Sequence, residues 1–310
     1  MKRLPEDLGC MASFQDAVGD SGPVCVRGGG TRWDIGRAGG PPVREVAAPT
    51  GVEAFEPADM TVRVGAGTTL DELLTVLSAH GQEVALDGPP GSTVGGALMV
   101  GHSPLRRGRL GETTDALLQA DCVGADGSLF TAGGPTVKNV TGYDLCRLLV
   151  GSLGTLALVG RVILRTRPLP ETGRWLAGEV PPGVVRRLVH RPASLLWDGE
   201  RSTVRIEGHI ADVTSQADRL SSAGLVEVES PVLPPWRDSW PSAKPSVDGP
   251  SEGLPTGAVL EVGAGVLHRF EPGAPPEIPD GVAALATRVR DAFDPLRRLN
   301  PQCDPHRVPA

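Results

Sequence analysis

The five cysteines of this 310-residue chain, Cys10, Cys25, Cys122, Cys146 and Cys303, are scattered, and no two stand in a Cys-x-x-Cys pair. That spacing excludes an iron–sulfur cluster or a structural zinc built from one local run of ligands. Most of them read as small buried hydrophobes or inert surface thiols. No apolar stretch approaches the roughly 20 residues that a bilayer-crossing helix needs. The N-terminus lacks the apolar core of a secretory signal, since Glu6 and Asp7 follow closely on Lys2 and Arg3, and a cytoplasmic location is the expectation. A formal net charge of −7 argues against a nucleic-acid surface, and Arg106, Arg107 and Arg109 form the one dense basic cluster.

What remains is ordinary for a soluble globular protein: 40% hydrophobic and 22% charged residues, with enough length for a sizeable core and for two domains, or one domain with an insert. The 41 glycines and 30 prolines mean that loops and turns carry much of the architecture. Strand character is read at Val24–Val26, Val43–Val46, Met60–Val64, Ala116–Val123 and Ser128–Thr131, the last two joined by the turn Gly124-Ala125-Asp126-Gly127. Thr69-Leu70-Asp71-Glu72 fits a capping box ahead of a helix with Leu70, Leu73, Leu74 and Leu77 as its stripe and Gly81 as its stop. Seven glycines between Gly88 and Gly111 are too many for a regular element. Near residue 170 the texture changes, with Trp175, Trp197, Trp236 and Trp240 following and proline dense from Pro231 to Pro279. Val282, Leu285, Val289 and Phe293 then return at helical spacing, stopped by Asp294-Pro295.

Two glycine-rich loops point to an anionic ligand. Gly28-Gly29-Gly30-Thr31 follows a strand and offers consecutive amides in a backbone free to adopt positive φ, the makings of an anion nest. It is neither a Rossmann nor a P-loop signature, because Trp33 stands where the last glycine would be and no Gly-Lys-Ser/Thr is present. Alone, such a triplet reads as a plain turn more often than as a ligand site. The second loop, Gly91-Ser92-Thr93-Val94-Gly95-Gly96, places Ser92 or Thr93 as the cap of a helix starting at Val94 or Gly95, whose free amides and positive end would face the first loop. Two such loops can grip a diphosphate from both sides.

The run Lys138 to Leu156 is the most distinctive in the chain. Leu145, Leu148 and Leu149 suit one buried helical stripe, Gly151-Ser152-Leu153-Gly154-Thr155 breaks it, and Leu156–Val159 with Val162–Leu164 reads as a strand. Glycines at such a turn mean either tight helix-to-strand packing or backbone brought close to a ligand.

With these residues in hand, the chain resembles the FAD-linked oxidase family of the vanillyl-alcohol-oxidase (PCMH-type) fold, and within it the FAD-binding subunits of glycolate oxidase. Val26 to Thr31, Gly91 to Leu98, Pro104 to Gly111, the Lys138–Leu156 run and Phe293 to Pro301 carry the resemblance. The resemblance implies an α+β fold: a PCMH-type FAD-binding domain of two α/β subdomains at 1–170, a reduced cap domain at 171–281, and a C-terminal helix and tail at 282–310 that return to the FAD domain. It implies that Arg27, Gly28, Gly29, Gly30 and Thr31, with Gly91, Ser92, Thr93, Val94, Gly95 and Gly96, hold the pyrophosphate and the adjoining ribityl region. Gly101, His102 and Ser103, and Gly154, Thr155, Leu156 and Val159, would approach the flavin and the adenine-ribityl parts. Some proteins of this fold attach FAD through a His directly after the glycine loop; Thr31 stands there, so non-covalent FAD is expected. Tyr143, the single tyrosine, and Asp144 are expected to orient the turn beside the flavin.

Catalytic members of the family carry His-x-Gly-Asp-Gly-Asn-x-His in the cap. The matching stretch, Glu261-Val262-Gly263-Ala264-Gly265-Val266-Leu267-His268, keeps only the two glycines and His268, too few ligands for a metal. Removing hydride from a 2-hydroxy acid needs a base and a cation for the carboxylate. His268 is the first candidate base, with His209 and His102 behind it and Arg106 or Arg107 as carboxylate clamps.

Three readings follow. The first is the FAD-binding subunit of a glycolate oxidase or dehydrogenase complex, whose implied partners are an iron–sulfur subunit and a larger flavoprotein subunit, with any membrane attachment made peripherally through those partners. The second is a self-sufficient FAD-dependent 2-hydroxy-acid dehydrogenase. The third is a non-catalytic assembly subunit docking through 231–279, a role that exposed Trp residues would favour and buried ones would not.

Overall fold

The computed structural model describes residues 6–37, 39–40, 42–135, 144–240, 253–273 and 277–308. Lys138 to Tyr143 of the distinctive run, and 241–252 and 274–276 of the proline-dense segment, lie outside the described residues. The chain divides into two compact units: Met1–Pro104 with Glu112–Pro168 and Glu277–Val308, and Leu105–Gly111 with Leu169–Pro276.

The first unit is built on a sheet in the order Val52–Glu56, Thr61–Gly65, Leu158–Pro168, Leu117–Val123, Leu129–Gly133, all antiparallel, with Gln82–Val84 pairing the far end of Leu158–Pro168. Its central strand is buried from Leu158 to Leu164 and again at Thr166, and the one charged side chain in the buried run, Arg161, is paired with Asp121 and Glu53. The helix Leu70–Ser78 packs Leu73 and Leu77 into this core, each fully buried and each contributing about 2 kcal/mol of hydrophobic stabilisation. Thr69 caps it by accepting from the Glu72 amide at 3.2 Å. Leu74, expected in the stripe, instead faces solvent at the stripe's edge. A separate parallel pair, Val24–Val26 with Arg44–Val46, carries the first glycine loop.

Other expectations need correction. The helix Glu6–Val18 went unread in the sequence; Met11, Phe14 and Val18 bury its inner side, and the first two lie where a side chain at Gly160 would be. The glycine-dense stretch from Gly88 to Gly111 contains two short helices, Val94–Val100 and Arg107–Leu110. The helix Leu145–Leu149 buries Cys146 and Leu149, leaving Leu148 exposed. The C-terminal helix Asp280–Phe293 buries no residue, and Val282 and Leu285 are exposed. Anchoring falls to the tail: Asp294 accepts from the amides of Arg298 and Leu299, and the buried Arg298 guanidinium donates to the carbonyls of Val18, Gly19, Ser21, Gly22 and Ala125.

The second unit is one antiparallel sheet of seven strands, ordered Val226–Val228, Thr172–Gly178, Ser202–Gly208, Ser194–Trp197, Val259–Glu261, Val266–Arg269, Trp236–Ser239. The helices Pro182–Leu188 and Ile210–Ser222 cover one face, where Val185, Val213, Ala217 and Leu220 meet Leu176, Leu195, Val204 and Ile206. Alternation along each strand sends Arg205, Glu207, Glu261, His268 and Arg237 to the other face. The two tryptophans of the 231–279 segment divide between the roles considered: Trp240 packs on Ala258, Leu260 and Leu267, whereas Trp236 is exposed.

Candidate functional site

The first glycine loop leaves its strand when the Arg27 amide donates to the Val46 carbonyl at 2.9 Å. The next four amides, of Gly28, Gly29, Gly30 and Thr31, donate to no protein group among the described residues. Gly30, at φ +72°, turns the chain there, and the Trp33 amide closes the turn onto the Gly30 carbonyl at 3.3 Å. Four consecutive exposed amides without a protein acceptor at the end of a strand can serve as a nest for an anion.

The two loops meet directly. A side chain at Gly29 would sit 1.9 Å from the Gly91 carbonyl oxygen, and one at Gly28 would sit 2.4 Å from Thr93 Oγ1. The hydroxyls of Thr31 and Ser92 are 2.8 Å apart and join the loops. Gly28 and Gly29 are therefore required by loop-to-loop contact, while Gly30 is required by its backbone angle.

The second loop behaves differently from the expectation of free amides. Thr93 caps the helix, accepting from the Gly96 amide at 3.2 Å; the Val94 amide donates to Thr68 O at 2.9 Å and the Gly95 amide to Ala66 O at 2.7 Å. The helix start is spent on its own neighbours, and Gly95 is there because the Ala66 backbone lies against it. Its contribution is a wall, not a second nest.

Arg27 to Thr31, Ser92 and Thr93, Gly95 and Gly96, and Gly154 and Val159 line one open cleft of the first unit. Gly91, Val94, Thr155 and Leu156 do not line it. The Thr155 hydroxyl donates to Ser152 O within the turn. Nor do Gly101, His102 and Ser103: Gly101 ends the helix Val94–Val100 against Gly151, the His102 carbonyl accepts from Thr113, and the Ser103 hydroxyl bonds Glu112.

The cleft also holds residues the sequence reading passed over. Arg32, Trp33 and Arg37 line it beside Arg27, and among the described residues no Asp or Glu does, so its walls are basic in a chain that is acidic overall. The Arg37 guanidinium lies 3.7 Å from the Trp33 ring centroid and that of Arg27 lies 4.9 Å away. Asn300 lines the far wall; its Nδ2 donates to Leu153 O and its buried Oδ1 has no partner. The same wall carries Cys303, whose thiol is pushed up by burial and stays protonated near neutrality. Only the Phe293–Pro301 motif hinted that the C-terminus reaches this place.

The second unit carries the remaining candidates. His268 and Glu261 are both buried, with Nε2 2.7 Å from Glu261 Oε1, and Arg237 lies 3.6 Å from the same oxygen. They stand on adjacent hairpin strands, where the turn Val262 to Gly265 brings position 261 diagonally opposite 268. Among the described residues no cluster of three metal-ligating side chains occurs. His209 is exposed and tied to Glu171 at 2.8 Å, a bond that raises its pKa. Arg106, a suggested carboxylate clamp, is engaged by Glu207 at 2.6 and 2.7 Å, together with Arg205 at 2.8 Å and Arg109 at 3.8 Å. Burial would raise the Glu207 carboxyl, but hydrogen bonds from Arg106 and Arg205 and their charges outweigh it and hold its pKa below the ordinary range.

The model of an FAD binding domain matches residues 11–133, the span that contains the nest and both loops. The chain carries an FAD binding domain over that span. It is 28% identical to the glycolate oxidase subunit GlcE of Escherichia coli over 266 residues, 79% of this chain and 76% of that one. It is 36% identical to a D-lactate dehydrogenase of Archaeoglobus fulgidus over 47% of this chain but only 33% of the relative. With the glycolate oxidase subunit GlcD of Bacillus subtilis it shares 41% identity over 27% of this chain and 18% of that one. Among solved structures, an alkyldihydroxyacetonephosphate synthase superposes with a TM-score of 0.56 at 16% identity, covering 72% of this chain and 53% of that one, a likeness of fold. The α+β, PCMH-type FAD-binding fold expected from the sequence is thereby established, and FAD is the cofactor. No helix among the described residues is long and apolar enough to cross a membrane.

The residues present fit this cofactor. Its diphosphate matches the four unpaired amides and the basic wall, and its length suits an open cleft more than a closed pocket.

Proposed function

We propose that this chain is the FAD-binding subunit of a glycolate oxidase-type complex, in which the flavin accepts or relays two electrons from a 2-hydroxy acid. The observation that carries the reading is the nest from Gly28 to Thr31, whose four amides have no protein acceptor among the described residues, set in a cleft that arginines line and, among those residues, no carboxylate does. When bound, FAD supplies two-electron redox chemistry at its ring. The chain's own part is to hold it: the nest amides and Arg27 bind the diphosphate, the second loop forms the opposing wall, and Val26, Ala48, Leu158 and Val159 exclude water. Binding is non-covalent in this reading, because Thr31 stands where members that attach FAD covalently carry a His. The span of 76% of GlcE supports a subunit role; with no cysteine cluster in the chain, electrons leave through a partner, and the resemblance implies an iron–sulfur subunit and a larger flavoprotein subunit.

A second reading, a self-sufficient 2-hydroxy-acid dehydrogenase, is favoured by one observation. His268 Nε2 and Glu261 Oε1 lie 2.7 Å apart, both residues buried, so that the carboxylate orients the imidazole as it would orient a general base. The purified chain separates the two. Its visible spectrum is recorded and glycolate or D-lactate is then added without oxygen. A flavin spectrum that persists supports the relay subunit; bleaching supports the dehydrogenase, and His268→Ala must then slow it by at least about 100-fold. A chain purified and supplied with FAD that shows no bound flavin sinks both.

A further inference from the structure

Cations that line a cleft usually have a carboxylate beside them, and Arg27 has Glu45 at 3.0 Å. Arg37 has none among the described residues. It is half-buried, it lines the same cleft as the nest, and its guanidinium is stacked 3.7 Å from the centre of the Trp33 ring. The thiols of Cys25 and Cys303 beside it are both kept protonated by burial and cancel none of the charge.

The backbone keeps this cation close to the unpaired amides. The Trp33 amide donates to Gly30 O, the Ile35 amide to Arg32 O and the Arg37 amide to Asp34 O, so successive tight turns run straight from the nest to Arg37. Beyond it, Arg37 bridges to Cys303 and the Asp304 amide donates to Gly36 O at 2.8 Å, which pins the end of the turn to the C-terminal segment. A guanidinium held over an indole loses little freedom when it meets a ligand, and it is weakly hydrated.

We infer that Arg37 is a cofactor-binding residue, supplying a positive charge to the diphosphate, and that Trp33 is the positioning residue that aims it. The inference rests on FAD occupying this cleft, and it goes further than the glycine loops by giving the site a side-chain charge. The ligand chemistry recognised is a diphosphate, whichever nucleoside or flavin it joins.

The test titrates the full chain, freed of flavin, with FAD, with ADP and with riboflavin, which share the flavin or the diphosphate in different combinations. Arg37→Met is expected to weaken FAD and ADP roughly 10- to 100-fold, the range for loss of a charged hydrogen bond. Riboflavin, which has no phosphate, is expected to bind Arg37→Met as it binds the parent. Arg37→Lys should recover part of the loss, because the charge returns without the planar stack. Trp33→Leu should weaken FAD and ADP several-fold, and Trp33→Leu combined with Arg37→Met should be no worse than Arg37→Met alone. An Arg37→Met chain that binds FAD within twofold of the parent overturns the inference, and so does one that loses riboflavin as strongly as FAD. A parent chain that binds neither FAD nor ADP overturns the cofactor reading along with it.

Discussion

Replacing Gly29 with Ala should damage the site far more than replacing its neighbour Gly30. At Gly29 the new Cβ would lie 1.9 Å from the Gly91 carbonyl oxygen, and that oxygen belongs to backbone that cannot swing away. To reach ordinary contact the loops must part by roughly 1.5 Å. An amide displaced that far from a phosphate oxygen no longer makes a hydrogen bond, since such bonds fail beyond about 3.5 Å. Losing one or two charge-assisted bonds of about 1.5–3 kcal/mol each raises the FAD dissociation constant by at least about 10-fold. Overpacking itself costs about 1–3 kcal/mol of stability, a fall of several degrees in the melting temperature of the flavin-free chain. Gly30 meets nothing within 4 Å, so Gly30→Ala pays only for its φ of +72°, about 1 kcal/mol, and keeps the loops together. Flavin-fluorescence titration and a thermal melt of both variants decide the matter. A Gly29→Ala chain with the parent's affinity and melting temperature would refute the claim that the loops are locked backbone to backbone.

Three further outcomes are expected. Glu207→Gln leaves Arg106 and Arg205 facing a neutral partner in a buried site and should cost about 3 kcal/mol, read as a lower urea midpoint. Because the folded state depresses the Glu207 pKa, this contribution is complete above the unfolded value of about 4.3 and fades as pH falls through the lower folded value; the parent's advantage over Glu207→Gln should therefore shrink in acid, and an advantage independent of pH would contradict the pairing. A thiol reagent at pH 8 should modify Cys10 first and leave Cys122 and Cys146 untouched until denaturant is added, since burial drives Cys122 far up and Cys146 up to about 11; FAD should protect Cys303, which lines the cleft, and equal labelling of Cys303 with and without FAD would count against the cleft as the cofactor site.

Strands, the capped helix at Thr69 and the family were legible because each is written in local spacing. The misjudged positions have a common physical cause, namely that periodicity marks an apolar stripe without saying whether anything covers it. Leu74, Leu148, Val282 and Leu285 all satisfy helical spacing and all face solvent. The N-terminal helix failed in the opposite way: Met11, Phe14 and Val18 are too few to stand out, and their burial depends on a bare backbone at Gly160 far along the chain. Arg37 and Asn300 were invisible as site residues for a related reason. One is identified by a stacking partner and a missing carboxylate, the other by a carbonyl nearly 150 positions away, and neither relation has a local signature.

The glycine loops show how a motif can be recognised correctly and explained in the wrong terms. Both were read as phosphate cradles because consecutive glycines and a capped helix start each suggest free amides. Only the first loop keeps them free; the second uses the amides of Val94, Gly95 and Gly96 on Thr68, Ala66 and its own cap. The same residue pattern thus arises from two needs, close approach of a ligand and close approach of another stretch of backbone. Gly28 and Gly29 meet the second need, since the loop holds its shape by resting on Gly91, Ser92 and Thr93, while the amides from Gly28 to Thr31 are those proposed to meet the first. A ligand-binding role for the second loop therefore runs through the shape it imposes on the first, and substitutions at Gly95 should act on cofactor affinity only as far as they move that wall.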